Sequence, residues 1–336
     1  MHLLLTDSGL GGLAICAALE ATLRGSPGAG DIRTGANGGG APDGRGTRDR
    51  LRLTYVNAWP EEGRGYNDLP DMAARAATFD RVLARIDAMA PDAILIACNT
   101  LSIVYEATDH HRSARVPVRG IVEAGVEVFE EALRAHAAGA LVLVGTRTTI
   151  DSGVHRERLL ARGVATGRVA GVSCHGLATA IENGPHTRDT VALIEACAER
   201  ASAAAPAGEP LLLGLCCTHY GMVAARLREE LARASGRPVV ALDPNERLVR
   251  DVAAWLIGGR AFAGDAGAAG ARHGADRTVG PLPKPGVRSP GPATVEVVSK
   301  VALSEAKREA VAALVEAISP ATARALRSYT HVPDLF

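Results

Sequence analysis

The chain has 336 residues, which is enough for two domains of ordinary size, each with its own core. Lysine plus arginine and aspartate plus glutamate both number 37, so no strongly basic field is present to hold nucleic acid or anionic lipid. The apolar runs are far shorter than the about 20 residues that span a bilayer. The chain start also lacks a charged leader. We therefore expect a cytoplasmic protein without nucleic-acid or membrane partners.

The cysteines and lysines restrict the chemistry. The six cysteines show no Cys-x-x-Cys pair and no repeated framework, which predicts free thiols and argues against a structural zinc. The only three lysines, Lys284, Lys300 and Lys307, lie in the C-terminal extension. A pyridoxal phosphate enzyme needs a lysine for its Schiff base. We therefore predict no cofactor and no metal.

Strand-like and helix-like segments alternate along the first half. A buried strand at 3–6 leads to the turn Asp7-Ser8-Gly9-Leu10-Gly11-Gly12 and a helix at 13–24. Residues 25–48 contain nine glycines and few apolar residues, so they bury too little apolar surface to offset the entropy of ordering. We interpret this segment as a mobile surface insertion. The further elements are a strand at 51–56, a loop at 57–71, a helix at 72–89, strands at 93–97 and 118–122, and a helix at 123–137.

The second half repeats this order. A strand at 140–144 leads to a polar turn at 145–153, as the first strand leads to Asp7. The further elements are strands at 169–174, 211–215 and 239–242 and helices at 178–182, 190–203, 222–234 and 245–257. Such alternation is typical of a parallel sheet. We predict two α/β lobes, residues 1–117 and 118–260, related by a pseudo-twofold, with strand exchange between them left open.

Residues 261–336 differ in composition. Gly280-Pro281-Leu282-Pro283 indicates a linker, followed by a strand at 294–301. Ser304 can cap a helix that runs to 318, and Pro320 can open another. The sequence assigns this linker and extension no role.

Two cysteines follow strand-like runs at matched places. Leu95-Ile96-Ala97 ends in Cys98, and Leu213-Gly214-Leu215 ends in Cys216-Cys217. Ligands of open α/β sheets bind outside the carboxyl ends of the strands, where helix N-termini point N–H groups at anions. Most free cysteines are only small buried hydrophobes, but the polar residues after Cys98 and Cys217 favour catalysis. Cys216 should point to the opposite face, into the core.

The neighbours of both thiols suit acid/base chemistry. A free cysteine has a pKa near ~8.5 and needs help to ionise. His219 lies two residues after Cys217, and Asp7 ends a neighbouring strand beside Cys98, although each could be only a helix-start residue. One thiolate could remove a proton from an α-carbon while the opposite thiol returns one to the other face. Asn99, Thr100 and Thr218 would hold the substrate carboxylate.

The segments 7–12, 97–100 and 217–220 resemble the signature turns of the aspartate/glutamate racemase superfamily, most of all those of glutamate racemases. The resemblance keeps their order and spacing over most of residues 3–256. It implies an α/β fold of two Rossmann-like (flavodoxin-like) lobes with the active site in the cleft between them. It also implies cofactor-independent 1,1-proton transfer between Cys98 and Cys217, with D-glutamate as a peptidoglycan precursor.

The resemblance implies roles for further residues. Asp7 and His219 would assist the thiols, and Glu182 is either a catalytic carboxylate near the second thiol or a plain helix carboxylate. The predicted substrate-binding residues are Ser8, Asn99, Thr100 and Thr218, with Tyr66 and Asn67 in the altered counterpart of the family's Pro-Tyr-Gly loop and Thr146 and Thr149 in the polar turn of the second half.

The identity of the substrate stays open. Cys216 stands where the family usually has glycine, and Gly221 stands in place of a proline. Glutamate is the first candidate, followed by aspartate or another acid. The same thiols would also serve a hydantoin racemase, a decarboxylase or an isomerase, and a non-catalytic binding protein is a third class. The sequence is compatible with a homodimer.

Overall fold

The computed structural model describes residues 1–25, 51–258 and 293–336. The predicted insertion at 25–48, apart from Gly25, and the linker at 261–292 lie outside the described residues. Within the described ranges, no helix combines the length and the apolar composition that a membrane crossing needs.

The described strands form two parallel sheets. They are β1 (His2–Asp7), β2 (Arg52–Asn57), β3 (Ala93–Ile96), β4 (Val118–Gly120), β5 (Ala140–Gly145), β6 (Val169–Ser173), β7 (Leu211–Cys216), β8 (Val239–Leu242), β9 (Thr294–Ser299) and β10 (Thr330–His331). The first sheet has the order β10-β9-β2-β1-β3-β4 and the second β6-β5-β7-β8, and every described pairing is parallel. The order β2-β1-β3-β4 thus recurs as β6-β5-β7-β8, and the prediction of two α/β lobes is confirmed.

Helices cover both faces of the sheets. They are α1 (Leu13–Arg24), α2 (Met72–Ala88), α3 (Asn99–Tyr105), α4 (Asp109–Ser113), α5 (Val122–Ala135), α6 (Arg147–Asp151), α7 (Val154–Ala161), α8 (Leu177–Asn183), α9 (Arg188–Ala204), α10 (Ala224–Ser235), α11 (Pro244–Gly258), α12 (Glu305–Glu316) and α13 (Pro320–Arg327). Short 3-10 helices lie at Tyr66–Asp68, Thr166–Arg168 and Thr218–Val223. The helix predicted at 222–234 is therefore a 3-10 turn followed by α10.

Burial on both faces explains the continuous apolar runs of the central strands. All six residues of β1, β5 and β7 are buried. In β1, Leu3 and Leu5 join the core under α1, whereas Leu4 joins the core under α2. Because side chains alternate along a strand, a strand covered on both sides needs apolar residues at successive positions.

The predicted boundary at residues 117 and 118, for which the sequence leaves strand exchange between the lobes open, does not follow the sheets: β4 lies beyond it, but is the edge strand of the first sheet and pairs with β3. The C-terminal segment, residues 293–336, is also part of this lobe. Its strand β9 pairs with β2 along six residues, and its helices pack against α1. Without β9, the outer edge of β2 would expose unpaired N–H and C=O groups. The predicted extension therefore completes the first sheet.

One cysteine prediction is also wrong. Cys174, just after β6, and Cys197, in α9, form a disulfide across a Cα–Cα distance of 5.6 Å. This separation lies in the range that a disulfide can span. Cys16, Cys98, Cys216 and Cys217 are free. The two partners are 23 positions apart in the sequence, and the packing of α9 against β6 brings them together.

The C-terminal segment should contribute directly to stability. Val311 of α12 is fully buried in the core of the first lobe. We expect Val311→Ala to lower the free energy of unfolding by about 2 kcal/mol, because it removes buried methyl groups and leaves a cavity. Urea unfolding measures the change. Val240→Ala is the matched control at a site that is 37% exposed, and equal losses in both variants would contradict the packing role of α12.

Candidate active site

The turn after β1 brings the first lobe against the second. A Cβ atom on Gly9 would lie 2.5 Å from Oε1 of Glu182, and one on Gly11 would lie 2.6 Å from Oγ1 of Thr218. Real Cβ atoms do not approach other atoms so closely, so these positions require glycine. The glycine-rich turn is therefore a contact surface between the lobes.

Cys98 lies at the carboxyl end of β3, as predicted, and caps α3. Its sulfur accepts a hydrogen bond from the backbone N–H of Leu101 at 3.4 Å and lies 3.2 Å from Oγ of Ser8. Burial raises the pKa of the Cys98 thiol well above its usual value. The neighbouring Asp7 carboxylate raises this pKa further, because it repels a thiolate and accepts a hydrogen bond from the thiol. In the free protein Cys98 is therefore a thiol.

Asp7 links the two lobes next to Cys98. Its Oδ2 accepts hydrogen bonds from the backbone N–H of Gly12 at 2.5 Å and from Oγ1 of Thr218 at 3.1 Å. Oδ1 is buried without a nitrogen or oxygen donor. Burial raises the pKa of Asp7, and the positive charge of His219 and the hydrogen bonds from Cys98, Gly12 and Thr218 oppose that rise. The carboxylate is placed to receive the proton of Cys98.

Cys217 follows β7 and has a basic rather than an acidic neighbour. Nδ1 of His219 lies 3.6 Å from the sulfur, and Nε2 of His219 lies 2.7 Å from Oε1 of Glu182. Burial alone would lower the pKa of His219, but the hydrogen bonds and negative charges of Cys217 and Glu182 raise it well above its usual value. His219 is thus held as an imidazolium, which places a positive charge beside the sulfur.

Glu182 of α8 is the buried anion of the site. Its Oε1 also accepts a hydrogen bond from the backbone N–H of Leu10 at 2.7 Å, and its Oε2 lies 2.9 Å from Nζ of Lys307. Burial alone would raise the pKa of Glu182, but His219 and then Lys307 lower it to about 2. Of the two interpretations of Glu182, this geometry favours a position in the site over that of a plain helix carboxylate.

Asn99 presents an unused donor. Its Oδ1 lies 3.1 Å from Nε2 of His155 in α7, and its Nδ2 is buried without a hydrogen-bond partner. Burial lowers the pKa of His155 to about 4, with a smaller contribution from Arg158. Neutral His155 can donate to Oδ1 and thereby orient the amide. Buried polar groups are normally paired, so Nδ2 is suited to a ligand.

Three threonine hydroxyls meet where α3 faces α6. Oγ1 of Thr100 lies 2.8 Å from Oγ1 of Thr146 and 3.1 Å from Oγ1 of Thr149. Asn67 joins this group, because its Oδ1 accepts a hydrogen bond from the backbone N–H of Thr148 at 3.0 Å. The first lobe thus contacts the polar turn that the sequence placed at 145–153.

One cavity of about 860 Å³ lies between the lobes. The predicted residues that line it are Asp7, Ser8, Asn67, Cys98, Asn99, Thr100, Thr146, Glu182, Cys217, Thr218 and His219. Thr149 lies behind Thr100 and does not line it. Tyr66 does not line it either, since its ring packs against Phe79 with the centroids 6.3 Å apart. Cys216 packs in the core on the other side of β7 from Cys217, as predicted.

Among the residues that sequence reasoning missed are Lys307 and His155. Lys307 lines the cavity from α12, and His155 supports Asn99 from α7. The sequence carries no local signal for either, because each reaches the site from an element distant in the chain. The described residues contain no group of three histidine, cysteine, aspartate or glutamate side chains suited to a metal ion.

The fold and the site define a class: a two-lobed parallel α/β protein in which each lobe supplies a strand-end thiol to a shared cleft. The sequence profile of the Asp/Glu/Hydantoin racemase family matches residues 54–252. The match covers more than half of the chain, which therefore belongs to this family.

Individual relatives agree with this assignment. The chain is 27% identical to a glutamate racemase of Streptococcus suis over 164 residues, which are 48% of this chain and 57% of that protein. It is 30% identical to a glutamate racemase of Desulforudis audaxviator over 172 residues, 51% and 58% of the two chains. Among solved structures, the glutamate racemase of Francisella tularensis in complex with D-glutamate superposes with a TM-score of 0.60 at 16% identity, covering 94% of this chain and 93% of that one. The chain thus matches somewhat over half the length of these sequence relatives, and the structural likeness concerns the fold.

The ion pairs of Glu182 predict an acid-dependent stability. Because the pKa of Glu182 falls from 4.5 to about 2 on folding, its charged form stabilises the fold above about pH 4.5, and this stabilisation is lost as the pH falls towards 2. At pH 5.5, Glu182→Gln should lower the free energy of unfolding by on the order of 3 kcal/mol. At pH 3 the difference in the free energy of unfolding between the wild type and Glu182→Gln should be smaller. The titration of His219 does not contribute to this change, because His219 is protonated in the folded and the unfolded protein from pH 3 to 5.5.

Urea unfolding at both pH values tests this expectation. Glu309→Gln is the control, since Glu309 forms its ion pair with Arg327 on the surface. The control should change stability little at either pH. A Glu182→Gln difference that stayed constant between pH 3 and 5.5 would show that the carboxylate charge is not the source of the stabilisation.

Proposed function

We propose that this chain is a cofactor-independent amino-acid racemase of the glutamate racemase type. The observation that carries the proposal is that Cys98 of one lobe and Cys217 of the other line the same cavity. Each thiol has its own partner, Asp7 for Cys98 and His219 for Cys217. Two acid/base groups that reach one carbon from opposite sides are what inversion requires.

The neighbours of the thiols support a definite order of proton movements. Cys217, beside the imidazolium of His219, acts as thiolate and takes the α-proton, and the electron pair of the C–H bond is left on the α-carbon and its carboxylate. Cys98 delivers its own proton to the opposite face, which completes the inverted C–H bond. Cys217 is then a thiol and Cys98 a thiolate, and once the product has left, Cys217 releases its proton to water and Cys98 takes one from water, which restores both starting states. The reverse reaction uses the same groups in the opposite order.

The polar residues of the cavity support an amino-acid substrate. Nδ2 of Asn99 is a buried donor without a partner, and Thr100 and Thr146, whose hydroxyls lie 2.8 Å apart, line the same cavity. These groups would bind the α-carboxylate and stabilise the negative charge that develops on it. We take glutamate as the first substrate, in line with the D-glutamate bound by the Francisella tularensis protein. The product would then be D-glutamate, which the family supplies for peptidoglycan.

Proton exchange tests the proposal. In deuterated water, either enantiomer of glutamate should racemise and gain deuterium at its α-carbon. Circular dichroism measures the racemisation, and proton NMR measures the loss of the α-proton signal. Cys98→Ala and Cys217→Ala should each lower the rate at least about a thousandfold. Cys16→Ala is the control, because Cys16 is a free, fully buried cysteine of α1. Release of carbon dioxide would identify a decarboxylase instead, and inertness towards glutamate, aspartate and hydantoins would indicate a binding protein.

His155 should act on substrate binding through Asn99. His155→Leu removes the donor that orients the amide, so we expect KM to rise about tenfold while kcat changes less. His155→Gln should recover most of the loss, because its amide N–H can replace the imidazole donor. His186→Leu, at an exposed position, should leave both constants unchanged. A loss in kcat alone would argue against this function of His155.

A further inference from the structure

Lys307 connects the C-terminal segment to the second lobe. It lies in the first turn of α12, where its backbone N–H donates a hydrogen bond to Oγ of Ser304 at 3.3 Å. Its ammonium reaches Oε2 of Glu182 in α8 at a distance of 2.9 Å. The two helices belong to different lobes, since α12 packs on the first sheet and α8 follows β6 of the second. The ion pair therefore crosses the cleft at the cavity wall.

This contact completes the coordination of the Glu182 carboxylate. Oε1 is occupied by Leu10 and His219, and Lys307 is the partner of Oε2. The Glu182 side chain is only 6% exposed, so water cannot readily replace a lost partner. A buried carboxylate oxygen without its cation is strongly disfavoured. Without Lys307, the carboxylate would protonate more readily or turn towards solvent, and in either case its hold on His219 would weaken.

We propose that Lys307 is a positioning residue of the proposed racemase. It fixes the Glu182 carboxylate in the orientation that anchors His219 beside Cys217, so the site is complete only when α12 is docked. The inference rests on the proposed function for its kinetic consequence. The charged and titratable groups around His219 are Glu182, Cys217 and Asp7, and Lys307 lies beyond Glu182.

The alternative is an ion pair that merely holds two surfaces together. The Lys307 side chain is 26% exposed, and partly exposed pairs often add little to stability. A double-mutant cycle shows whether Lys307 acts through Glu182, because such a residue has no effect once Glu182 is changed. An ion pair that merely holds the surfaces would change stability but leave kcat/KM and the reactivity of Cys217 unchanged.

The kinetic test compares Lys307→Met, Lys307→Arg, Glu182→Gln and the double variant Lys307→Met/Glu182→Gln. Lys307→Met should lower kcat/KM for glutamate by about 10- to 100-fold, which is the loss seen in metal sites when a residue that orients a ligand is removed. Lys307→Arg should restore activity to within about threefold of the wild type, because it keeps the cation. In the Glu182→Gln background, Lys307→Met should cost less than about twofold. Lys300→Met is the matched control, since the Lys300 ammonium lies over the Phe336 ring. Additive losses in the double variant would overturn the proposal.

A second measurement does not depend on turnover. Residue-resolved mass spectrometry can follow the alkylation of Cys217 by iodoacetamide from pH 5 to 10. The pH midpoint should move upwards in Lys307→Met and stay in place in Lys300→Met, while buried Cys16 reports on any general loosening. If the wild type does not racemise but the midpoint moves, the proposed function fails and the positioning role stands. If the wild type racemises and neither the midpoint nor kcat/KM responds to Lys307→Met, the positioning role is wrong.

Discussion

The carboxylate of Glu182 is the charge on which the arrangement of the cleft depends. It accepts hydrogen bonds from Leu10 in the turn after β1, from His219 after β7 and from Lys307 in the C-terminal segment. These donors come from three distant parts of the chain and from both lobes. A carboxylate removed from water must keep such partners, because their loss costs more free energy than surface ion pairs provide. The same requirement that stabilises the closed cleft therefore also fixes His219 beside Cys217.

The two thiols share a cavity but not an electrostatic environment. Cys98 faces the Asp7 carboxylate, which with burial raises the pKa of the thiol, whereas Cys217 faces the imidazolium of His219. A protein that used two equivalent thiols would have no preferred starting state. Here the acidic neighbour of Cys98 and the basic neighbour of Cys217 make the two sulfurs inequivalent, which supports the two-base transfer that we propose. The two lobes therefore share a strand order but place different charged neighbours beside their thiols.

The C-terminal segment both completes the first lobe and reaches the cleft. Its strand β9 covers the edge of β2, its helix α12 buries Val311 in the core of the first lobe, and the same helix carries Lys307 to the cleft. Sequence composition separates this segment from the predicted α/β pattern, because residues 261–292 are rich in glycine, proline and alanine. Composition reports on local order, whereas membership of a sheet is decided by pairing between distant strands.

The sequence alone determined the parallel α/β class and the strand-end positions of Asp7, Cys98 and Cys217, because strand periodicity and polar turns are local patterns. Eleven of the thirteen predicted site residues line the cavity. Nine of them lie at or within a few residues of strand ends, which meet at one edge of a parallel sheet, whereas Asn67 and Glu182 come from a 3-10 helix and from α8. Only the tertiary structure decided that Tyr66 packs in the core, that Cys174 joins Cys197, and that His155 and Lys307 reach the site. The contacts of His155 and Lys307 join elements far apart in the chain. None of the four contacts is marked by a local pattern in the sequence, because the packing of helices on the sheets chooses the partners.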